Sequence, residues 1–189
     1  NEQGSPPPHE VTIPYTRMLA GPMDFTPGSM RALSKANWKA VDNLPSSQGT
    51  VARQLAMYVM YETSLPMLSD MPTAYERNPD ALDFLKAVPT TWDETVGLDG
   101  RIGEWALLAR KKGAEWWVAA MTNWDRRTVD VPLAFLGGGT WEATIWADGA
   151  NADKVGTDYK RYSSEVGPTH PLRLDLAPGG GGAVRLRRR

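Results

Sequence analysis

The chain has no cysteine among its 189 residues, which excludes disulfides, thiolate metal sites and thiol catalysis. That absence fits the cytosol, the periplasm and the exterior equally well. No apolar run approaches the roughly 20 residues that a membrane-crossing helix needs, so no membrane contact is expected. Neither sign of charge dominates: 21 Lys and Arg stand against 22 Asp and Glu, a formal net charge of -1. Without a global basic field, nucleic acid is not an expected partner. The concentrated positive charge from Arg185 to Arg189 reads as a solvated, frayed tail, as terminal residues often are. The opening NEQGSPPP has neither an initiator Met nor targeting character, so the chain is expected to be the C-terminal piece of a larger protein.

What is present suits a folded chain, with 41% apolar and 23% charged residues. From Gly49 to Ser64, Val51, Leu55, Tyr58, Val59 and Glu62 fall at helical spacings, flanked by Met57 and Met60, and predict a helix with one broad buried face. Leu65 to Leu68, bounded by Ser64 and Ser69-Asp70, suits a buried strand. Asn78-Pro79 then opens a second helix through Leu82, Phe84, Leu85 and Val88, which Pro89 stops. Upstream, Val11 to Leu19 reads as a helix or helical turn and Gly21 to Phe25 as a short strand. This alternation implies βα units and a parallel sheet.

Past Val88 the pattern becomes short runs rich in Trp, Val, Thr and Leu, punctuated by Gly, Asp and Asn. Strands are expected at 90–98, 103–111, 115–123, 127–132, 139–147, 159–166, 172–176 and 183–186, with a hairpin turn at Lys111 to Ala114. Eight short strands suggest an antiparallel sandwich. Residues 1–89 and 90–189 are thus expected to be an α/β part and an all-β domain.

PYTRMLAGPMDFTPG (Pro14 to Gly28), FLKAVPTTWDET (Phe84 to Thr95) and LPMLSDMP resemble glycoside hydrolase family 97, enzymes of α-glucosides and α-galactosides. The resemblance implies that residues 1–89 are the terminal part of a (β/α)8 TIM barrel and 90–189 a C-terminal β-sandwich associated with oligomerisation. It further implies an α-glycoside or oligosaccharide substrate, calcium as cofactor, a periplasmic or secreted location and a possible homo-oligomer. The chemistry needs two carboxyl groups flanking the glycosidic bond, and the calcium needs carboxylate ligands. On the family pattern both sets precede this segment, so the chain alone is expected to be inactive.

Within the segment, Glu10 is the first candidate for the active-site rim, with a carboxylate favoured at a helix N-terminus as its other reading. Glu2, in the Pro-rich loop, is a weaker candidate for approaching substrate or calcium. Asp24, at the end of a short strand, either faces a barrel site or braces the turn Thr26-Pro27-Gly28. Asp70 closes LPMLSD with the same two readings. Trp116 and Trp117 would point to opposite faces of a strand, leaving at least one exposed or in an interface. Trp105, Trp124, Trp141 and Trp146 add to the aromatic content. Core packing and interface contact compete with a sugar-stacking platform, which would make the sandwich a carbohydrate-binding module without catalysis. The acidic stretch Asp148 to Asp153 reads as a hairpin loop and His170 as a surface turn residue. The runs at Gly137 and Gly179 lack a phosphate-binding context.

Overall fold

The computed structural model describes residues 4–189. Its first stretch is a series of short turns: α1 (Pro7–Glu10), then 3-10 turns at Ile13–Tyr15 and Arg17–Ala20. Of the two readings of Val11 to Leu19, helix or helical turn, the structure shows turns. Pro14 has no N–H to give to the preceding turn and starts a new one instead. Two parallel two-residue strands follow, β1 (Ala32–Leu33) and β2 (Ser47–Gln48). β2 leads through Gly49 into α2 (Val51–Met60), whose N-cap Thr50 accepts the Arg53 N–H at 3.1 Å. α3 (Pro72–Glu76) and α4 (Pro79–Ala87) complete the helical part.

The strands expected at Gly21 to Phe25 and Leu65 to Leu68 do not form among the described residues. Both stretches are irregular, and Leu65, Met67 and Leu68 are exposed. Their backbone contacts are isolated ones, Met23 N–H to Glu62 O and Ser69 N–H to Pro27 O, and no ladder develops. An apolar run becomes a strand only when a neighbour takes up its backbone groups.

From Glu94 onward all eight expected strands are present. They are β3 (Glu94–Arg101), β4 (Trp105–Lys112), β5 (Glu115–Thr122), β6 (Arg127–Val131), β7 (Trp141–Asp148), β8 (Tyr159–Val166), β9 (Leu172–Leu176) and β10 (Gly181–Arg188). Six form one antiparallel sheet in the order β3-β4-β5-β10-β7-β8, and β6 pairs with β9 in a second. Side chains alternate between the faces of the large sheet. Val118, Ile145, Val184 and Leu186 pack against Val129, Val131, Leu174 and Leu176 of the small sheet, giving a β-sandwich core.

The opposite face of the large sheet is covered as well. Trp117, Ala119, Met121, Ala183 and Trp146 meet Leu55, Met57, Ala81 and Phe84 of α2 and α4. All ten residues of α2 are buried, so the single buried stripe expected from its periodicity is a helix enclosed on every side. α2 lies so close to β10 that a Cβ on Gly181 would sit 2.9 Å from the Arg53 Cα. Only glycine admits that approach.

The C-terminal arginines are not a frayed tail. β10 is an inner strand, and Arg185, Arg187 and Arg189 meet acids of β5, β7 and β8. Arg185 makes two bonds to Glu115, Arg187 one to Glu142, and Arg189 one to Glu165.

Candidate functional site

The densest polar chemistry lies where the helices meet the sandwich. Arg53 is fully buried and spends its guanidinium on four acceptors. Nε bonds Glu10 Oε2 at 2.6 Å, Nη2 bonds Pro7 O at 2.9 Å, and Nη1 reaches Thr122 O at 2.5 Å and Gly180 O at 3.4 Å. One side chain thus joins α1, α2, β5 and the β9–β10 turn. Burial pushes the Glu10 carboxyl above its ordinary range, while Arg53, His9 and Ser5 act in the opposite sense. The Tyr61 hydroxyl donates to Glu10 O at 2.7 Å and holds the same corner from the far end of α2.

This places Glu10 differently from both readings of the sequence. It is the last residue of α1 rather than a residue at a helix N-terminus, and its carboxylate is buried against Arg53. Glu10 and Gln54 lie at the base of a cavity of about 770 Å³ whose walls include Phe25, Thr26, Ser29 and Trp38. Gln54 Oε1 accepts the Gly28 N–H at 3.0 Å, and the Tyr58 hydroxyl donates to Pro27 O at 2.8 Å. Gly28 is needed there: its φ is +96°, and a Cβ would strike the Tyr58 hydroxyl.

Asp24 is exposed, and among the described residues it has no hydrogen bond or ion pair. It therefore does not brace the turn after it. Asp70 is a brace: Oδ2 accepts the Met30 N–H at 2.9 Å and Oδ1 the Met71 N–H at 2.8 Å. Glu2 lies outside the described residues. Besides Glu10, the cavity wall carries one acid, exposed Asp42. Among its described lining residues, this cavity lacks the two free carboxyl groups flanking a shared space that glycoside hydrolysis requires. Nor do these residues gather three or more His, Asp or Glu into a set fit for a metal, so no step is assigned to calcium here.

None of the eight tryptophans is exposed. Trp117 is enclosed between Phe84 and Arg185, and Trp116 packs on Phe135 with centroids 4.7 Å apart. Of the two outcomes expected for this pair, exposure or an interface, Trp117 takes the second, at the contact between the large sheet and α4. Trp92, Trp105 and Trp124 are half-buried, and Trp116, Trp117, Trp141 and Trp146 are buried. The Asp148 to Asp153 stretch is the β7–β8 connection, closed by Asp158, whose Oδ2 accepts the Asn151 N–H at 2.8 Å. His170 is an exposed turn residue beside Thr169.

Arg53 does not stand out in the sequence, and Asp148 stands out only as the first residue of an acidic hairpin loop. A signal for Arg53 exists: VARQLAMYVM offers no polar face, and a charged residue in a helix that is apolar all round is buried. Asp148 carries no comparable signal, since its partners are backbone amides of Ala177 and Gly181.

The fold and site thus define a β-sandwich module with a helical layer locked to it by a buried ion pair. The family domain described as "Glycosyl-hydrolase 97 C-terminal, oligomerisation" matches residues 91–187, and the chain belongs to glycoside hydrolase family 97. It is 43% identical over 179 residues to a retaining alpha-galactosidase of Bacteroides thetaiotaomicron, covering 95% of this chain and 27% of that protein. A probable retaining alpha-galactosidase of Streptomyces bingchenggensis is 36% identical over 141 residues, 75% of this chain and 20% of that one. A solved family 97 enzyme of Pseudoalteromonas sp. strain K8, in complex with panose, superposes with a TM-score of 0.87 at 37% identity. That match covers 98% of this chain and 29% of the enzyme. The chain therefore spans about a quarter of the length of the curated relatives it matches.

Proposed function

We propose that this chain is the C-terminal part of a calcium-dependent α-glycosidase, in which it supplies barrel wall and sandwich support while the reacting carboxylates lie elsewhere. The observation that carries this reading is the commitment of Glu10 to Arg53, which leaves the cavity without a free carboxyl pair. The names of both curated relatives favour an α-galactosidic substrate and retention of configuration. The exposed run of Leu65, Met67, Leu68 and Met71 supports the barrel-wall role, because contiguous apolar surface of this kind marks a contact face. On this reading the face meets the rest of the barrel, and the cavity wall from Phe25 to Ser29 borders the substrate site. The sandwich joins subunits, as the description of the family domain suggests. A periplasmic or secreted location and calcium ligation belong to the same reading.

Exchange of the matching 179-residue segment of the Bacteroides enzyme for this chain tests the proposal. The hybrid is expected to hydrolyse p-nitrophenyl α-galactoside. A folded hybrid whose kcat/KM falls by about 100-fold or more, the loss expected of an ångström-scale misplacement, would overturn it.

A further inference from the structure

Asp148 closes β7 at a fully enclosed corner beneath the N-terminus of α2. Its Oδ2 accepts the N–H groups of Ala177 and Gly181 at 2.8 and 3.0 Å, tying β7 to both ends of the β9–β10 turn. Oδ1 is buried without a hydrogen bond of good geometry among the described residues. Gly180 packs directly against this carboxyl, and a Cβ there would collide with Oδ2. The Thr50 hydroxyl, which already accepts the Arg53 N–H, is the polar side chain beside it.

The charged and titratable groups facing this corner are few. α2 presents Arg53, and α1 presents Glu10 beyond it, with His9 next to Glu10. The β9–β10 turn and β5 contribute backbone groups, Gly180 O and Thr122 O among them. Two buried carboxyl groups therefore face one guanidinium, which is bonded to Glu10 and three carbonyl oxygens and makes no hydrogen bond or ion pair to Asp148 among the described residues. With every group ionised, the corner would hold one uncompensated negative charge in a site closed to water.

We propose that this joint is a proton-operated latch: in mildly acidic solution Asp148 holds a proton on Oδ1, and releasing it to solvent loosens the β9–β10 turn from the α2 corner. Burial pushes the Asp148 carboxyl up to about 7, against the opposing effects of Thr50, the two amides and Arg53. The folded chain then binds this proton more tightly than the unfolded chain, whose carboxyl has its ordinary value of 3.8. The corresponding stability is fully present below about pH 4 and is lost as the pH rises through about 7.

The test follows the Asp148 carboxyl carbon by NMR in the ¹³C-labelled chain, together with thermal melting of the native chain, Asp148→Asn and His9→Gln across the same pH range. The carboxyl is expected to titrate near neutrality, with Tm falling by several degrees between about pH 4 and 7 and amide exchange at Gly181 accelerating as the proton leaves. His9→Gln should keep the fall in Tm and Asp148→Asn should reduce it, leaving the part that Glu10 contributes. Titration of Asp148 in the ordinary carboxylate range, or an unchanged slope in Asp148→Asn, overturns the proposal. If Asp148→Asn does not fold, the carboxyl titration and Gly181 exchange in the native chain decide the matter.

Discussion

Replacing Arg53 by methionine is expected to destabilise the chain by about 3–5 kcal/mol, the cost of breaking a buried ion pair from one side. Methionine fills much of the space but donates nothing. Glu10 would be left buried without its counter-ion, and Pro7 O, Thr122 O and Gly180 O would lose a donor. The loss falls on the contact between the helical layer and the sandwich, because those acceptors belong to α1, β5 and the β9–β10 turn. Chemical denaturation, read at the midpoint, checks the magnitude. Arg53→Lys should be intermediate, since it keeps the charge but lacks the fork that serves several acceptors at once. The double change Arg53→Met with Glu10→Leu should regain a large part of the loss by removing the stranded charge. A double variant as unstable as Arg53→Met alone would mean that the ion pair is not what holds the corner.

Trp117→Ala is expected to cost about 3–5 kcal/mol, the range for deleting a buried aromatic side chain. Trp117 has no exposed surface, and its ring lies 5.7 Å from that of Phe84 and 5.3 Å from the Arg185 guanidinium. α4 rests on this contact and on the bond from Trp146 Nε1 to Asp80 O at 2.8 Å. The cavity left by the indole should therefore loosen α4 first. Denaturation midpoints measure the total loss, and limited proteolysis locates it. Cleavage near α4 should accelerate more than cleavage within the sandwich. Equal acceleration everywhere would assign Trp117 to the global core and not to the helical contact.

The sandwich was legible because its signals are local. Most strands from Glu94 onward alternate or run apolar over five to eight residues, and turn residues such as Gly113 punctuate them. The helical part was less legible because its elements depend on distant partners. Leu65 to Leu68 has the composition of a strand, yet among the described residues nothing pairs with it, and it stays irregular and exposed. The arginines at the C-terminus look solvated in sequence because Glu115, Glu142 and Glu165 are far from them along the chain. The antiparallel register brings these acids alongside. Trp116 and Trp117 do point to opposite faces as the strand period requires, but their sequence does not reveal that α2 and α4 cover one of those faces. Of the candidate site residues, Asp70 is the brace that one of its two readings foresaw. Glu10 is placed by Arg53, whose partners lie 43 or more residues away along the chain.

The account rests on the claim that this chain supports a glycosidase site without holding its reacting carboxyl pair. The most direct test is hydrolysis of p-nitrophenyl α-galactoside and α-glucoside by the purified 189-residue chain, with and without added calcium. The account predicts no turnover above the uncatalysed rate under either condition. Turnover that disappears in Glu10→Gln or Asp24→Asn would contradict it and would make those carboxylates the reacting pair.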